Sequence, residues 1–159
     1  MLKYLEIEES VKTCLDLGCG YGTIGVYVNK RYNISVDMVD INQRAIDLSI
    51  NNVELNSVQA NVFKSDGFNN IKSKYDLIIT NPPIRTGKEL IYKFFEEAVS
   101  HLNENGSLIL VINKKHGADS AIKFLKTIYS NIEVLGRKKG FYVIRCKINW
   151  LFDRYMILY

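Results

Sequence analysis

The sequence predicts an α/β domain built on a mostly parallel sheet, with one antiparallel strand near its C-terminal end. Three observations carry that expectation. Short apolar runs alternate with amphipathic stretches from residue 13 onward, the pattern of a parallel sheet covered by helices. The last two runs, 132–135 and 141–148, are joined only by the turn 136–140, and strands joined so briefly must pair antiparallel. The 159 residues, 47% hydrophobic and 24% charged, suit one domain with a real core and rule out a disordered chain.

The elements follow in order. Residues 13–17 form a short apolar strand ending at a glycine cluster, and residues 22–31 a helix that opens from it. Residues 34–39 are β-branched and alternating, a second strand. Asn42 is placed to cap a helix with Ala45, Ile46, Leu48, Ile50 and Val53 as its apolar positions and Asn56 as its end. Val58, Ala60 and Val62 alternate as a third strand, and residues 75–80 form a fourth, stopped by Pro82 and Pro83. Thr86 and Glu89 make a capping-box pattern for a helix reaching His101. Asn105-Gly106 reads as a turn, 107–112 as a fully apolar strand, and 117–128 as an amphipathic helix. Residues 1–148 are read as one domain, and 149–159 as a mostly apolar, aromatic tail with no assignment.

Composition narrows the function classes. No apolar run reaches the ~18 residues of a membrane span. The first nine residues carry three acids, one lysine and no apolar stretch of the kind a secretory signal needs. Cys14, Cys19 and Cys146 are odd in number and lack zinc-ligand spacing, so buried free thiols in a reducing cytoplasm are expected. Charge is uneven. Residues 1–80 hold 8 basic and 10 acidic groups, whereas residues 113–147 hold 9 and 2. A concentrated surplus of this kind fits either a polyanionic partner or a solvated lysine surface.

In an open parallel sheet, ligands bind outside the carboxyl ends of the strands. The first strand ends in Asp16-Leu17-Gly18-Cys19-Gly20-Tyr21-Gly22, where glycines let a ligand approach the backbone at an electropositive helix start. The second ends in Asp40, an acceptor for both hydroxyls of a ribose. The third ends in Asp66, which can accept from an exocyclic amine, with Phe68 or a neighbour along the base. The fourth ends in Asn81-Pro82-Pro83-Ile84. Each piece alone has an ordinary structural reading, as turn, helix cap or chain break. Gly20-Tyr21-Gly22-Thr23-Ile24-Gly25 also fits a dinucleotide fingerprint, with Asp40 about 20 residues on. Asp16 before the glycines and Asn-Pro-Pro after the fourth strand have no place in a dehydrogenase, and the four-part set favours a nucleoside site facing an amine acceptor.

These residues resemble the class I S-adenosylmethionine-dependent methyltransferases, which have a Rossmann-like sheet. The stretch Asn81-Pro82-Pro83-Ile84-Arg85-Thr86-Gly87-Lys88, His101-Leu102 before Gly106, and Lys114-Lys115-His116-Gly117-Ala118 narrow the resemblance. They are similar to the small-subunit ribosomal RNA guanine-N2 methyltransferase family in its short single-domain form, over about residues 13–148.

The resemblance implies S-adenosylmethionine as cofactor, bound by Asp16, Gly18, Cys19, Gly20, Gly22, Asp40 and Asp66. It implies Asn81 and Pro82 as the catalytic acceptors of an exocyclic amine, and no metal. Substrate contacts fall on Pro83, Ile84, Arg85, Lys88, Lys114 and Lys115, and the implied partner is ribosomal RNA or the small ribosomal subunit. Ile84 stands where related enzymes often carry an aromatic, so base stacking is expected from Tyr21 or Phe68. Arg137, Lys138 and Lys139 are read as too far round to contribute. Relatives have a hairpin and helix before the first strand, whereas twelve residues precede Thr13, so a short front wall is expected. Two alternatives stand beside this reading: a protein glutamine N-methyltransferase, against which Ile84 speaks, and a shortened, inactive fold with a binding or assembly role.

Overall fold

The computed structural model describes residues 2–82 and 87–149. Its elements are β1 (Thr13–Leu17), α1 (Thr23–Tyr32), β2 (Ser35–Asp40), α2 (Gln43–Leu55), β3 (Ala60–Lys64), β4 (Tyr75–Thr80), α3 (Lys88–Ser100), β5 (Leu102–Asn113), α4 (Ala118–Leu125), β6 (Asn131–Lys138) and β7 (Phe141–Lys147). They build one seven-stranded sheet in the order β3-β2-β1-β4-β5-β7-β6. The first five strands are mutually parallel, and β7 runs antiparallel to both β5 and β6. The expected fold class is therefore borne out. The antiparallel strand is not the sheet's outer edge, however. It is inserted between β5 and β6.

Strand order reverses between β1 and β4, the place where an open sheet leaves a crevice at its carboxyl edge. β4 from Leu77 and β5 from Gly106 to Ile112 are buried on both faces, which explains why these stretches read as apolar runs. One core layer lies under α3 and α4, around Ile78, Phe95, Leu102, Leu108 and Leu125. The other lies under α1 and α2, around Val28, Val36, Met38, Leu77 and Ile109. Residues before β1 join this second layer through Leu5, with Leu2, Tyr4, Ile7 and Val11 packed on it. Lys147 Nζ and Glu8 Oε1 pair at 2.6 Å to hold that segment, and Tyr32 Oη donates to the Leu5 carbonyl.

Several local expectations change. Asn42 does cap α2, its side chain accepting from Arg44 N, and Asn56 ends it. Of the apolar stripe, Ile46 is buried, but Leu48 and Ile50 are exposed. Ser49 takes the inward position instead. Gly87 is the N-cap of α3, without a side-chain cap, and the Thr86 of the expected capping box lies outside the described residues. Asn105-Gly106 is not a free turn. It lies within β5, where a register shift separates the Tyr75–Leu102 and Leu77–Ser107 pairs. The last hairpin is tighter than expected: strand pairing continues to Lys138–Phe141. Only Lys139 and Gly140, both with positive φ, make the turn, as a two-residue hairpin loop requires.

Candidate functional site

The loop from Gly18 to Gly22 is shaped by three positive-φ glycines. Two have distinct demands. At Gly22 a Cβ would lie 2.5 Å from Met38 Cε, because α1 is drawn tightly onto β2. At Gly18 a Cβ would meet nothing within 4 Å, so its backbone faces open space. Ser49 Oγ donates to the Gly20 carbonyl at 2.8 Å and Asn52 Nδ2 to that of Tyr21 at 2.6 Å, so α2 clamps the loop from outside.

Two acids organise the loop from within. Asp40 accepts from Gly20 N through Oδ2 and from Asn42 N through Oδ1, each at 2.9 Å. Asp16 is 1% exposed and accepts from Gly25 N through Oδ2 at 2.8 Å. Its Oδ1 finds no donor among the described residues. Burial, with the Asp40 carboxylate adding to it, pushes the Asp16 carboxyl up to about 7 against the pull of the Gly25 N–H. Cys19 sits beside Ser49. Burial raises its thiol to about 12, too high for a thiolate nucleophile.

Beyond this loop opens a cleft of about 260 Å³ lined by Leu17, Gly18, Asp40, Ile41, Ser65, Asp66, Gly67, Thr80, Asn81, Leu90 and Phe94. It therefore gathers the ends of β1, β2, β3 and β4. Thr80 Oγ1 donates to the Leu17 carbonyl at 2.8 Å, locking Asn81 beside the glycine loop. Asp66 and Asn81 are exposed and Pro82 is buried. At Gly67 (φ +53) a Cβ would fall 2.5 Å from Phe94 Cε1, so Gly67 lets the ring form a wall of the cleft. Beside these polar acceptors, Ile41 (58% exposed) and Phe94 offer apolar surface. Carboxylates set for hydroxyl or amine donors, apolar walls and a bare glycine backbone fit an adenosine-type group.

The expected residues divide clearly. Gly18, Asp40, Asp66 and Asn81 share the cleft. Asp16, Cys19, Gly20, Gly22 and Pro82 do not line it, and the first four belong to the glycine loop and its supports. Pro83, Ile84 and Arg85 fall outside the described residues. Phe68 is not available for stacking on a base: it is 6% exposed and stacked on His101, 4.6 Å between centroids. Tyr21 is 63% exposed but lines a separate groove with Thr23, Val26 and Tyr27. Ser49, Ile41 and Phe94 were not singled out from the sequence. Ile41 adjoins Asp40, and Ser49 breaks an apolar helix stripe, but nothing local marks Phe94.

Lys88, Lys114 and Lys115 line a neighbouring groove with Ile91, His116, Asp119 and Lys123. The first turn of α3 divides it from the cleft, since Lys88 faces the groove and Leu90 the cleft. The carboxyl edge is thus acidic over β1–β3 and basic beyond β5. Among the described residues no group of three His, Cys, Asp or Glu side chains is placed to hold a metal, and no helix is long and apolar enough to cross a membrane.

The family model for the methyltransferase small domain matches residues 1–145. The Bacillus subtilis "Uncharacterized protein YbxB" is 41% identical over 84% of this chain and 68% of its own length. Ribosomal RNA small subunit methyltransferase C of Psychromonas ingrahamii is 34% identical over 83% of the chain, which spans only 38% of that relative. Among solved structures, the T. thermophilus 16S rRNA N2 methyltransferase RsmC, in complex with AdoMet and guanosine, superposes with a TM-score of 0.76 at 23% identity. That match covers 89% of this chain and 39% of that one. A Pyrococcus furiosus methyltransferase superposes with a TM-score of 0.75 at 25% identity, over 87% and 76% of the two chains.

Proposed function

The chain belongs to the methyltransferase small domain family, and from that premise we propose that it methylates guanine N2 of small-subunit ribosomal RNA with S-adenosylmethionine. The observation that carries this reading is the placement of Asn81 in one cleft with Asp40 and Asp66, beside a lysine-lined groove.

Gly18, Asp40, Ile41, Asp66 and Phe94 would hold the cofactor, whose sulfonium supplies an activated methyl group. Asp40 keeps lone pairs for ribose hydroxyls beyond its two backbone donors. Asp66 would accept from the adenine amine, and Ile41 and Phe94 would supply the apolar surface beside the ring. Asp16 positions the loop, and a cation brought to that loop supplies a counter-charge for its buried carboxylate.

An exocyclic amine conjugated to a base is a weak nucleophile. The Asn81 side-chain oxygen and the Pro82 carbonyl would accept its two N–H donors and so hold the nitrogen lone pair out of conjugation with the base. Proline fixes φ at this point, and Thr80 ties the strand end to Leu17, so the acceptors are set before substrate arrives. Lys88, Lys114 and Lys115, with Arg85 and the Pro83-Ile84 pair from outside the described residues, would hold phosphates and base beside the cleft.

The test is methyl transfer from labelled S-adenosylmethionine to purified small ribosomal subunits, with the product nucleoside identified. N2-methylguanosine supports the reading. Label confined to protein would replace it with glutamine methylation, and absence of cofactor binding would replace it with a non-catalytic role. The free thiols of Cys14, Cys19 and Cys146 accord with a reducing cytoplasm.

A further inference from the structure

The structure brings the β6–β7 hairpin to the carboxyl edge of the sheet, where the sequence alone gave it no role. Lys114 N donates to the Gly140 carbonyl at 2.7 Å. Asn113, Phe141 and Lys138 form one row across β5, β7 and β6, so Lys138 stands about 10 Å from Asn113 at ordinary strand spacing. Arg137 is held with its guanidinium 4.7 Å from the Tyr142 ring centroid, on the α4 side of the sheet where Tyr142 packs. The basic surplus of residues 113–147 is thereby sorted. Arg145 and Lys147 are spent in ion pairs with Glu133 and Glu8. Lys114, Lys115, Lys123, Arg137, Lys138 and Lys139 are in no salt bridge among the described residues. With Lys88 they lie toward the carboxyl edge, Arg137 on the α4 face and Lys138, whose row neighbour Phe141 packs on the other core layer, on the opposite face, so that the edge itself is the rim they share. Asp119 is the acid that faces its groove. Lys126, at the far end of α4, stands apart.

We propose that this rim is a phosphate track, in which RNA flanking the target nucleotide passes from Lys88, Lys114 and Lys115 onto Lys139, Lys138 and Arg137. The proposal rests on the RNA-methylating reading and deepens it. A row of unpaired cations several strands long suits a polyanion, because each phosphate neutralised releases condensed counterions. A compact anion would use only one end of the row. The hairpin adds precision: its turn is tied to the Lys114 turn by a backbone hydrogen bond, so the two halves of the rim hold a fixed spacing.

The test measures binding of transcribed small-subunit ribosomal RNA to the full chain across a salt series. Lys138→Gln with Lys139→Asn removes two charges, and Asn tolerates the left-handed turn at 139. Lys72→Gln with Lys74→Gln removes the same charge from the loop before β4, at the opposite edge. The hairpin variant is expected to lose roughly tenfold in affinity at low salt and to flatten the slope of log K against log salt by about 1.5. The control variant should keep both. If the wild-type chain binds RNA and the hairpin variant keeps its slope, or both variants lose equally, the track is overturned while the methylating reading stands. If the wild-type chain binds S-adenosylmethionine but no RNA, the track and the RNA substrate fall together.

Discussion

Asp40 Oδ2 accepts the Gly20 N–H at 2.9 Å, so the acid closing β2 also fixes the loop closing β1. One side chain therefore couples the two strand ends that flank the cleft. Replacing Asp40 by Ala removes the loop contact, the Asn42 contact and the acceptor proposed for ribose. Hydrogen bonds to a charged group are worth roughly 1.5–3 kcal/mol, so the dissociation constant for S-adenosylmethionine should rise about ten- to hundredfold by calorimetry. An unchanged constant would remove Asp40 from the site.

The legible parts of this site share a feature: each residue belongs to a strand end, and alternating elements already tell which edge strand ends occupy. Asp40, Asp66 and Asn81 fall where the sequence puts them for that reason. Phe68 lies two residues after Asp66, which suggests a place along the base, but its side chain turns inward onto His101. Phe94 was invisible because its role depends on α3 packing against Gly67, a contact between segments far apart in the chain. The position of the hairpin turn is not legible in the sequence, for a topological reason. A short turn dictates that β6 and β7 are antiparallel, but not that β7 enters beside β5 and carries the turn to the ligand edge.

Asp16 gives the fold a pH dependence with a definite sign. Burial raises its carboxyl from 3.8 to about 7 in the folded chain. The folded state then binds the proton more tightly than the unfolded one, so stability declines as pH rises from about 4 to about 7 and levels off above. The full difference is on the order of 4 kcal/mol. Melting of the ligand-free protein across pH 5 to 8 should show this decline, and Asp16→Asn should flatten it. A wild-type profile that rises over that range would refute the protonated form.

The same carboxyl makes cofactor binding proton-linked. A positively charged ligand favours ionised Asp16 and lowers its pKa, so binding near pH 6 should release a proton. Calorimetric enthalpies in buffers of different ionisation heat would measure it, and the dependence should vanish in Asp16→Asn. Identical enthalpies in all buffers for the wild-type chain would sever the link.

Gly67 is strained for any other residue twice over, by a φ of +53 and by a Cβ only 2.5 Å from Phe94 Cε1. Gly67→Ala should cost about 1–3 kcal/mol, the range for overpacking, and should push the ring into the cleft. Phe94→Leu removes the clashing edge. In a double-mutant cycle it should restore part of the stability lost in Gly67→Ala, with a coupling of about 1 kcal/mol. Additive losses would mean that the ring and the glycine do not meet.

Asn81 separates binding from chemistry. It lines the cleft at the end of β4, yet no hydrogen bond of the glycine loop depends on it among the described residues. Asn81→Ala should therefore leave the S-adenosylmethionine dissociation constant within about twofold, while lowering the rate of methyl transfer by about 100-fold or more, the scale for losing one preorganised polar group at a reacting centre. Asn81→Asp keeps an acceptor but adds a charge beside Asp40 and Asp66, so it should not rescue the rate. Single-turnover transfer to small ribosomal subunits at saturating cofactor reads the chemical step alone. A variant that transfers at the wild-type rate would show that the amine is oriented by the Pro82 carbonyl without help from the side chain.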